Sequence, residues 1–157
     1  MLALQSIEHF SRITPEKTAL ICADERCSYA ELRGRVHDYA AHFRQAGVNR
    51  GDRVALLLGN SLDYFYCILG LFQLGALVVP VRTQYKTWEL ERLIKHSKSR
   101  FLISERAYEP LIQGLGPGLA ITLLMRESDV VPVSAPADAD GDSFTERAAD
   151  EPAIVLY

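Results

Sequence analysis

The chain has 157 residues, 48% hydrophobic and 24% charged, which is enough material for one globular domain with a real core. A net charge of -3 gives no electrostatic footprint for a nucleic-acid partner. Cys22, Cys27 and Cys67 have no metal-ligand spacing and cannot all pair, which points to buried thiols in a reducing compartment.

Ser6 to Arg12 is expected to form a short helix with Ile7 and Phe10 inward, ended by Pro15. Thr18 to Cys22 and Arg26 to Tyr29 read as strands of a hairpin around Ala23-Asp24-Glu25. In that hairpin Cys22 and Cys27 could face each other across the turn. Ser28 and Glu31 have the spacing of a capping box, in which each side chain satisfies a backbone donor near the other. An amphipathic helix follows. Tyr29, Leu32, Val36, Tyr39 or Ala40, and Phe43 recur on its inner face, Arg33, Arg35, Asp38, Arg44 and Gln45 on its outer face, and Gly47 ends it.

The stretch from Gly51 to Val81 organises the chain, reading as strand, helix, strand. Arg53 to Leu58 is an apolar run of the kind found in a strand covered on both faces. Ser61 can cap the next helix, Asp63 faces the positive end of its dipole, and Gly75 suits the left-handed residue that closes it. Leu77 to Val81 is the returning strand, and such a crossover is almost always right-handed. The helix between has no polar face: Leu62, Phe65, Leu69 and Phe72 lie along one side, with Tyr64, Ile68, Leu71 and Leu74 on the other. Gln73, two glycines and Pro80 interrupt the apolar run, so it reads as a helix sandwiched between layers and not as a membrane span.

Alternation continues with a helix over Thr87 to Ser97, where Leu90, Leu93 and Ile94 point inward. A strand over Phe101 to Ser104, a short helix over Tyr108 to Leu115 and a strand over Leu119 to Met125 complete a body spanning residues 1–126. That body carries sixteen bases and twelve acids. Residues 127–151 carry eight acids and one base and are expected as an acidic loop, before a final strand within residues 152–157. The N-terminus lacks the pattern of a signal peptide, which places the protein in the cytoplasm.

The sum is an α/β fold with a largely parallel sheet, and such sheets bind ligands at the carboxyl ends of their strands. The segments expected there are Gly59-Asn60, Arg82 to Lys86, Ser104-Glu105 and whatever follows Tyr157. Catalytic chemistry is thin. Neither G-x-G-x-x-G nor G-x-x-x-x-G-K-[ST] occurs. His37 and His42 share no helix face, His9 and His96 read as surface residues, and Asp52 as a turn residue. Arg82 and Lys86 are candidates to meet a phosphate, or simply line a solvated loop.

Four blocks in order change that picture: Pro15-Glu16-Lys17-Thr18-Ala19-Leu20, Cys27-Ser28-Tyr29-Ala30-Glu31-Leu32, Gly47-Val48 followed by Gly51-Asp52-Arg53-Val54-Ala55, and Gly75-Ala76-Leu77-Val78-Val79-Pro80. Their spacing, with Glu89-Leu90 in the next helix, resembles the opening of the adenylate-forming (AMP-binding) superfamily, nearest to acyl-CoA synthetases and fatty-acid–CoA ligases. The likeness runs from Pro15 to Ile103 and resumes at Glu151 to Tyr157.

The resemblance implies part of a layered αβαβα domain. It implies a parent enzyme that uses ATP, Mg2+ and coenzyme A to turn a carboxylic acid into an acyl adenylate and then a thioester. In the family, a strand like Ala153-Ile154-Val155-Leu156-Tyr157 leads at once into a Thr-Ser-Gly-Thr-Thr-Gly phosphate loop, and the sequence stops at that tyrosine. No catalytic residue of the family therefore maps onto it. Residues 1–157 alone are expected to be inactive and to bind none of these cofactors; Arg82 and Lys86 remain candidates for the nucleotide of coenzyme A. The alternative is a complete short binding or dimerisation module. Either way, the central helix is expected to leave one apolar side open, and a homo-oligomer is expected through the Leu62 to Leu74 helix or the final strand.

Overall fold

The computed structural model describes residues 2–126, and the expected acidic loop and final strand lie outside the described residues. The elements run in order as α1 (Leu2–Ile13), β1 (Thr18–Cys22), β2 (Glu25–Ser28), α2 (Tyr29–Gln45), β3 (Arg53–Leu57), α3 (Leu62–Gln73), β4 (Leu77–Pro80), α4 (Thr87–Ser97), β5 (Phe101–Glu105), a 3-10 turn at Arg106–Tyr108, α5 (Glu109–Gln113) and β6 (Thr122–Arg126). β1 and β2 form an antiparallel hairpin. β4, β3, β5 and β6 form a parallel sheet in that order.

The sheet divides the core by strand parity. Val54, Leu56, Val78, Phe101 and Ile103 face a layer made by α1, α2 and α3. Ala55, Leu57, Val79 and Leu102 face the opposite layer, where α4 and α5 lie. Period-two alternation on strands buried on both faces produces this division. The chain crosses from β3 to β4 on one face and from β4 back to β5 on the other, so it switches direction between β3 and β5.

Local signals set the helix ends. The Ser28 Oγ accepts the Glu31 N–H at 3.2 Å and the Glu31 carboxylate accepts the Ser28 N–H at 2.8 Å, forming the capping box. That backbone bond is the main reason the Glu31 carboxyl titrates below its ordinary range. Ser61 caps α3 through the Tyr64 N–H at 3.2 Å. α2 and α3 both close through glycines in the left-handed region: Gly47 at φ +89° and Gly75 at φ +74°. At each end the following N–H reaches back to close the last turn, Val48 to Phe43 and Ala76 to Leu71, both at 3.0 Å.

Three expectations need correction. α1 begins at Leu2, a full turn before Ser6, because Leu4 is fully buried and extends the inward stripe. In the hairpin, Cys22 stands opposite Glu25 and Cys27 opposite Leu20, so the two cysteines are not cross-strand partners. None of the three cysteines is in a disulfide, and burial pushes the Cys27 thiol above its ordinary pKa.

The third correction concerns the faces of α3. Both sides expected from the sequence split in the structure. Leu62, Tyr66, Cys67, Gly70, Leu71, Phe72 and Gln73 are buried, while Tyr64, Ile68 and Leu69 are half-buried and Phe65 is 42% exposed. The reason is Gly70. A Cβ there would lie 2.9 Å from the Tyr39 Cβ and 3.1 Å from the Ala40 nitrogen, so α2 packs directly on its backbone. Gln73, an interruption in the sequence pattern, lies in the same seam and bonds the His37 Nδ1 at 2.9 Å. The Tyr39 hydroxyl donates to the Asp63 carboxylate, and the Tyr39 and Tyr66 rings sit 5.7 Å apart.

Candidate functional site at the carboxyl edge of the sheet

Parallel strands bring their carboxyl ends to one edge, and three loops leave it within the described residues: residues 59–61 after β3, residues 82–86 after β4, and the 3-10 turn after β5. The switch point lies between the first and third of these, where such sheets place ligands. Here it is tied shut. The Glu105 carboxylate accepts the Gly59 N–H at 3.0 Å, and the Tyr108 hydroxyl borders the same glycine. The buried Ser104 hydroxyl donates to the Leu57 carbonyl at 3.1 Å. A backbone N–H that could hold a phosphate is thus already held by an acid of the chain, and a second anion would meet its charge. Ser104-Glu105 and Gly59 therefore meet as a brace between β3 and β5. Asn60 is exposed beside it.

Arg82 and Lys86 lie on the loop beyond the edge strand β4. Pairing extends one residue past that strand, with the Val81 N–H donating to the Leu56 carbonyl at 2.9 Å. Arg82 then opens a turn closed by the Tyr85 N–H at 3.1 Å. Lys86 is the residue before α4, and its own N–H is held by the Glu89 carboxylate at 2.8 Å. Both side chains are exposed and neither makes an ion pair among the described residues. The two share a loop with each other but not the Glu105–Gly59 brace.

Asp52 and His37 are held in structural contacts. Asp52 accepts the Asn49 N–H at 2.8 Å and pairs with Arg100 at 3.2 Å, at the amino edge of the sheet. His9 and His96 are exposed, and His37 belongs to the α2–α3 seam. Among the described residues, no three of His, Cys, Asp and Glu come together to hold a metal, and no helix is long and apolar enough to cross a membrane. Sequence reasoning missed Trp88, whose signal was its position. It falls on the side of α4 away from Leu90 and Ile94, and it is 60% exposed.

The family model for AMP-binding enzymes matches residues 7–157. The chain belongs to that family. Among curated AMP-binding relatives, the crotonobetaine/carnitine–CoA ligases of Escherichia coli and Shigella flexneri are 32% identical over 146 residues. That alignment takes in 90% of this chain but only 28% of the relative, so the chain spans under a third of their length. A Mycobacterium tuberculosis fatty acyl CoA synthetase superposes over 98% of this chain and 32% of its own, with a TM-score of 0.78 at 23% identity. Klebsiella oxytoca NpsA, solved with 3-hydroxyanthranilyl-AMSN, gives 0.79 over 97% of this chain and 29% of its own, again at 23% identity. At that identity the likeness establishes the fold: a parallel sheet flanked by helices, as in the N-terminal region of acyl-CoA synthetases.

Proposed function

We propose that this chain is the opening region of an ATP-dependent acid–thiol ligase. A carboxylate oxygen attacks the α-phosphorus of ATP and pyrophosphate leaves; the thiol of coenzyme A then attacks the acyl carbon and AMP leaves. The observation that carries the reading is the 32% identity, over 90% of this chain, to enzymes named as CoA ligases. On this reading residues 2–126 form scaffold and acceptor surface, not the adenylation centre. Catalysis of this kind rests on positioning and electrostatic stabilisation around the phosphates. One phosphate-competent donor at the switch point, the Gly59 N–H, is occupied by Glu105.

Arg82 and Lys86 take the role of cations for the nucleotide end of coenzyme A, supported by their exposure and their shared loop at the carboxyl edge. The described residues do not fit a resident metal, so Mg2+ enters only as the companion of the ATP phosphates. The outward stripe of α3 is the surface for self-association, and the compartment is the cytoplasm. The chemistry is tested with the native gene product isolated from its own cells. It should form a thioester from ATP, coenzyme A and at least one acid in a panel of fatty, aromatic and short carboxylates; no thioester from any would overturn the reading. Residues 1–157 alone should leave acid-dependent pyrophosphate exchange at background, and exchange above it would overturn their inactivity.

A further inference from the structure

At the amino edge of the sheet, opposite the loop that carries Arg82 and Lys86, the chain enters β5 and β6 through two neighbouring segments, residues 98–100 and 118–120. The Thr122 N–H donates to the Arg100 carbonyl at 2.9 Å just after them. Against the C-terminal end of α4 they enclose an open cavity of about 290 Å³, whose lining includes Lys95, Lys98, Ser99, Arg100, Gly118 and Ala120 and no acid. Lys98 makes no ion pair among the described residues. Arg100 meets Asp52 through Nη1 alone, so its Nε and Nη2 have no hydrogen-bond partner among the described residues. The N–H groups of Gly118 and Ala120 have none either. The carbonyls that close α4 are already taken: Lys95 and Ile94 accept the N–H groups of Lys98 and Ser99, and Ser97 accepts Arg53. Little is left to repel an anion.

Two details point to a ligand. Lys98 stands in the left-handed region at φ +54°, where a glycine would avoid the strain, and strain of this kind gathers at binding sites. Ser99 is 5% exposed, and its hydroxyl meets that of Ser97 at 2.7 Å. Ser97 can donate to the Ile94 carbonyl, 3.2 Å away, or to Ser99, and the second choice frees the Ser99 proton for the cavity. We propose that this cavity binds a small phosphate-bearing anion. Lys98 and Arg100 balance its charge, while the Gly118 and Ala120 N–H groups and the Ser99 hydroxyl meet its oxygens. Backbone donors beside cations suit phosphate oxygens well. The site lies on the edge of the sheet away from the proposed acid–thiol chemistry and does not depend on that reading. A phosphate here bridges the lead-ins to β5 and β6, so its binding stabilises their pairing.

Inorganic phosphate titrated into the chain at constant ionic strength should move the backbone amide resonances of Ser99, Arg100, Gly118 and Ala120 to saturation. Chloride should leave them in place. Equilibrium dialysis with labelled phosphate then gives the affinity. Pyrophosphate and AMP as competitors separate free phosphate from an anhydride and an ester, and tightest binding by any of the three fits the proposal. Lys98→Gln keeps the left-handed Cβ and removes the charge, so it should weaken phosphate about tenfold, the size of a charge-assisted contact. Arg100→Gln should do the same, and Lys17→Gln, elsewhere on the surface, should change nothing. Without phosphate the thermal midpoint of Lys98→Gln should match the parent; added phosphate should raise the parent's far more.

Shifts that chloride reproduces, or dialysis without saturation, would mean an adventitious ion only and overturn the proposal. Unchanged affinity in both Lys98→Gln and Arg100→Gln would overturn it too, because the phosphate would then sit elsewhere. If a polyglutamate peptide moves the same amides and phosphate does not, the lining is a protein-docking surface and the proposal falls.

Discussion

α3 and α4 are crossover helices on opposite faces of one sheet, 12 and 11 residues long. α4 sorts its side chains by polarity. Leu90, Leu93, Ile94 and Ser97 are buried against the sheet, while the other flank carries the Glu91–Lys95 ion pair, with Trp88 and Arg92 exposed. α3 does not sort this way: it buries Leu62, Cys67, Leu71 and Phe72, yet also puts a polar group inside and an apolar one out. Gln73 is 3% exposed in the seam with α2, and Phe65 is 42% exposed on the outside. The difference shows that polarity orients a helix only where the sequence supplies contrast. Where every face is apolar, the position that permits closest approach decides, and in α3 that position is Gly70.

The largest effects should come from the two faces of α3. Leu71 is fully buried, and Leu71→Ala should cost about 2–5 kcal/mol of unfolding free energy from lost transfer energy plus the cavity. Phe65→Ala should cost well under that, roughly 1 kcal/mol or less, because water already covers much of the ring. Urea unfolding of both variants decides the matter. Equal losses would mean that α3 is enclosed on every side and has no open face.

Gly70→Val tests the seam. A Cβ at this position sits 2.9 Å from the Tyr39 Cβ and close to α2 backbone, so the two helices must separate. Overpacking of this kind costs about 1–3 kcal/mol, more than the gain in helix propensity from removing a glycine. The same substitution at Gly34, where nothing lies within 4 Å of an added Cβ, is the matched control and should lose no stability. A stable Gly70→Val variant would remove the explanation for the orientation of α3.

These contrasts also mark what the sequence made legible. Helix ends were readable because they depend on neighbours in the chain. Ser28 with Glu31, Ser61 with the Tyr64 N–H, and glycines 47 and 75 all act where the pattern put them. The parallel sheet and its carboxyl-edge loops were readable from alternation and apolar runs. The faces of α3, the offset of Cys22 from Cys27 and the Glu105–Gly59 brace were not. Each depends on which residue of a distant element arrives opposite, and that is fixed only by assembled packing. At the candidate site, Arg82 and Lys86 stand on the edge that was expected. Trp88 escaped notice because periodicity arguments look for what points inward.

The outward stripe of α3, where Phe65 is exposed and its neighbours are half-buried, gives the third contrast. Tyr64, Phe65, Ile68 and Leu69 form an apolar ridge with no counterpart on α4, and ridges of this kind commonly mark interfaces. Sedimentation of residues 1–157 across a concentration series should show reversible self-association. Phe65→Glu should weaken it by about tenfold or more, since a charge would have to be buried in the contact. A monomer at high micromolar concentration would show that the ridge has no partner in a second copy.

The smallest effects are at the C-terminal ends of the two helices, and they should have opposite signs. α3 closes on Gly75 at φ +74°, whereas α4 closes on Lys98 at φ +54°. A residue with a Cβ in this region is strained by contact with the following carbonyl, and only glycine escapes it. Lys98→Gly should therefore stabilise the chain by roughly 0.5–1 kcal/mol, the relief of strain outweighing the added freedom of the unfolded state. Its closing bonds, the Lys98 N–H to Lys95 and the Ser99 N–H to Ile94, are made by backbone and survive the change. Gly75→Ala should instead destabilise by about 1 kcal/mol or more, since it adds strain and brings a Cβ within 2.9 Å of the Arg50 Cγ. Thermal melts of the two variants should move in opposite directions from the parent. If Lys98→Gly melts lower, the lysine at that turn is held by something other than its backbone, and the two helix ends are not equivalent.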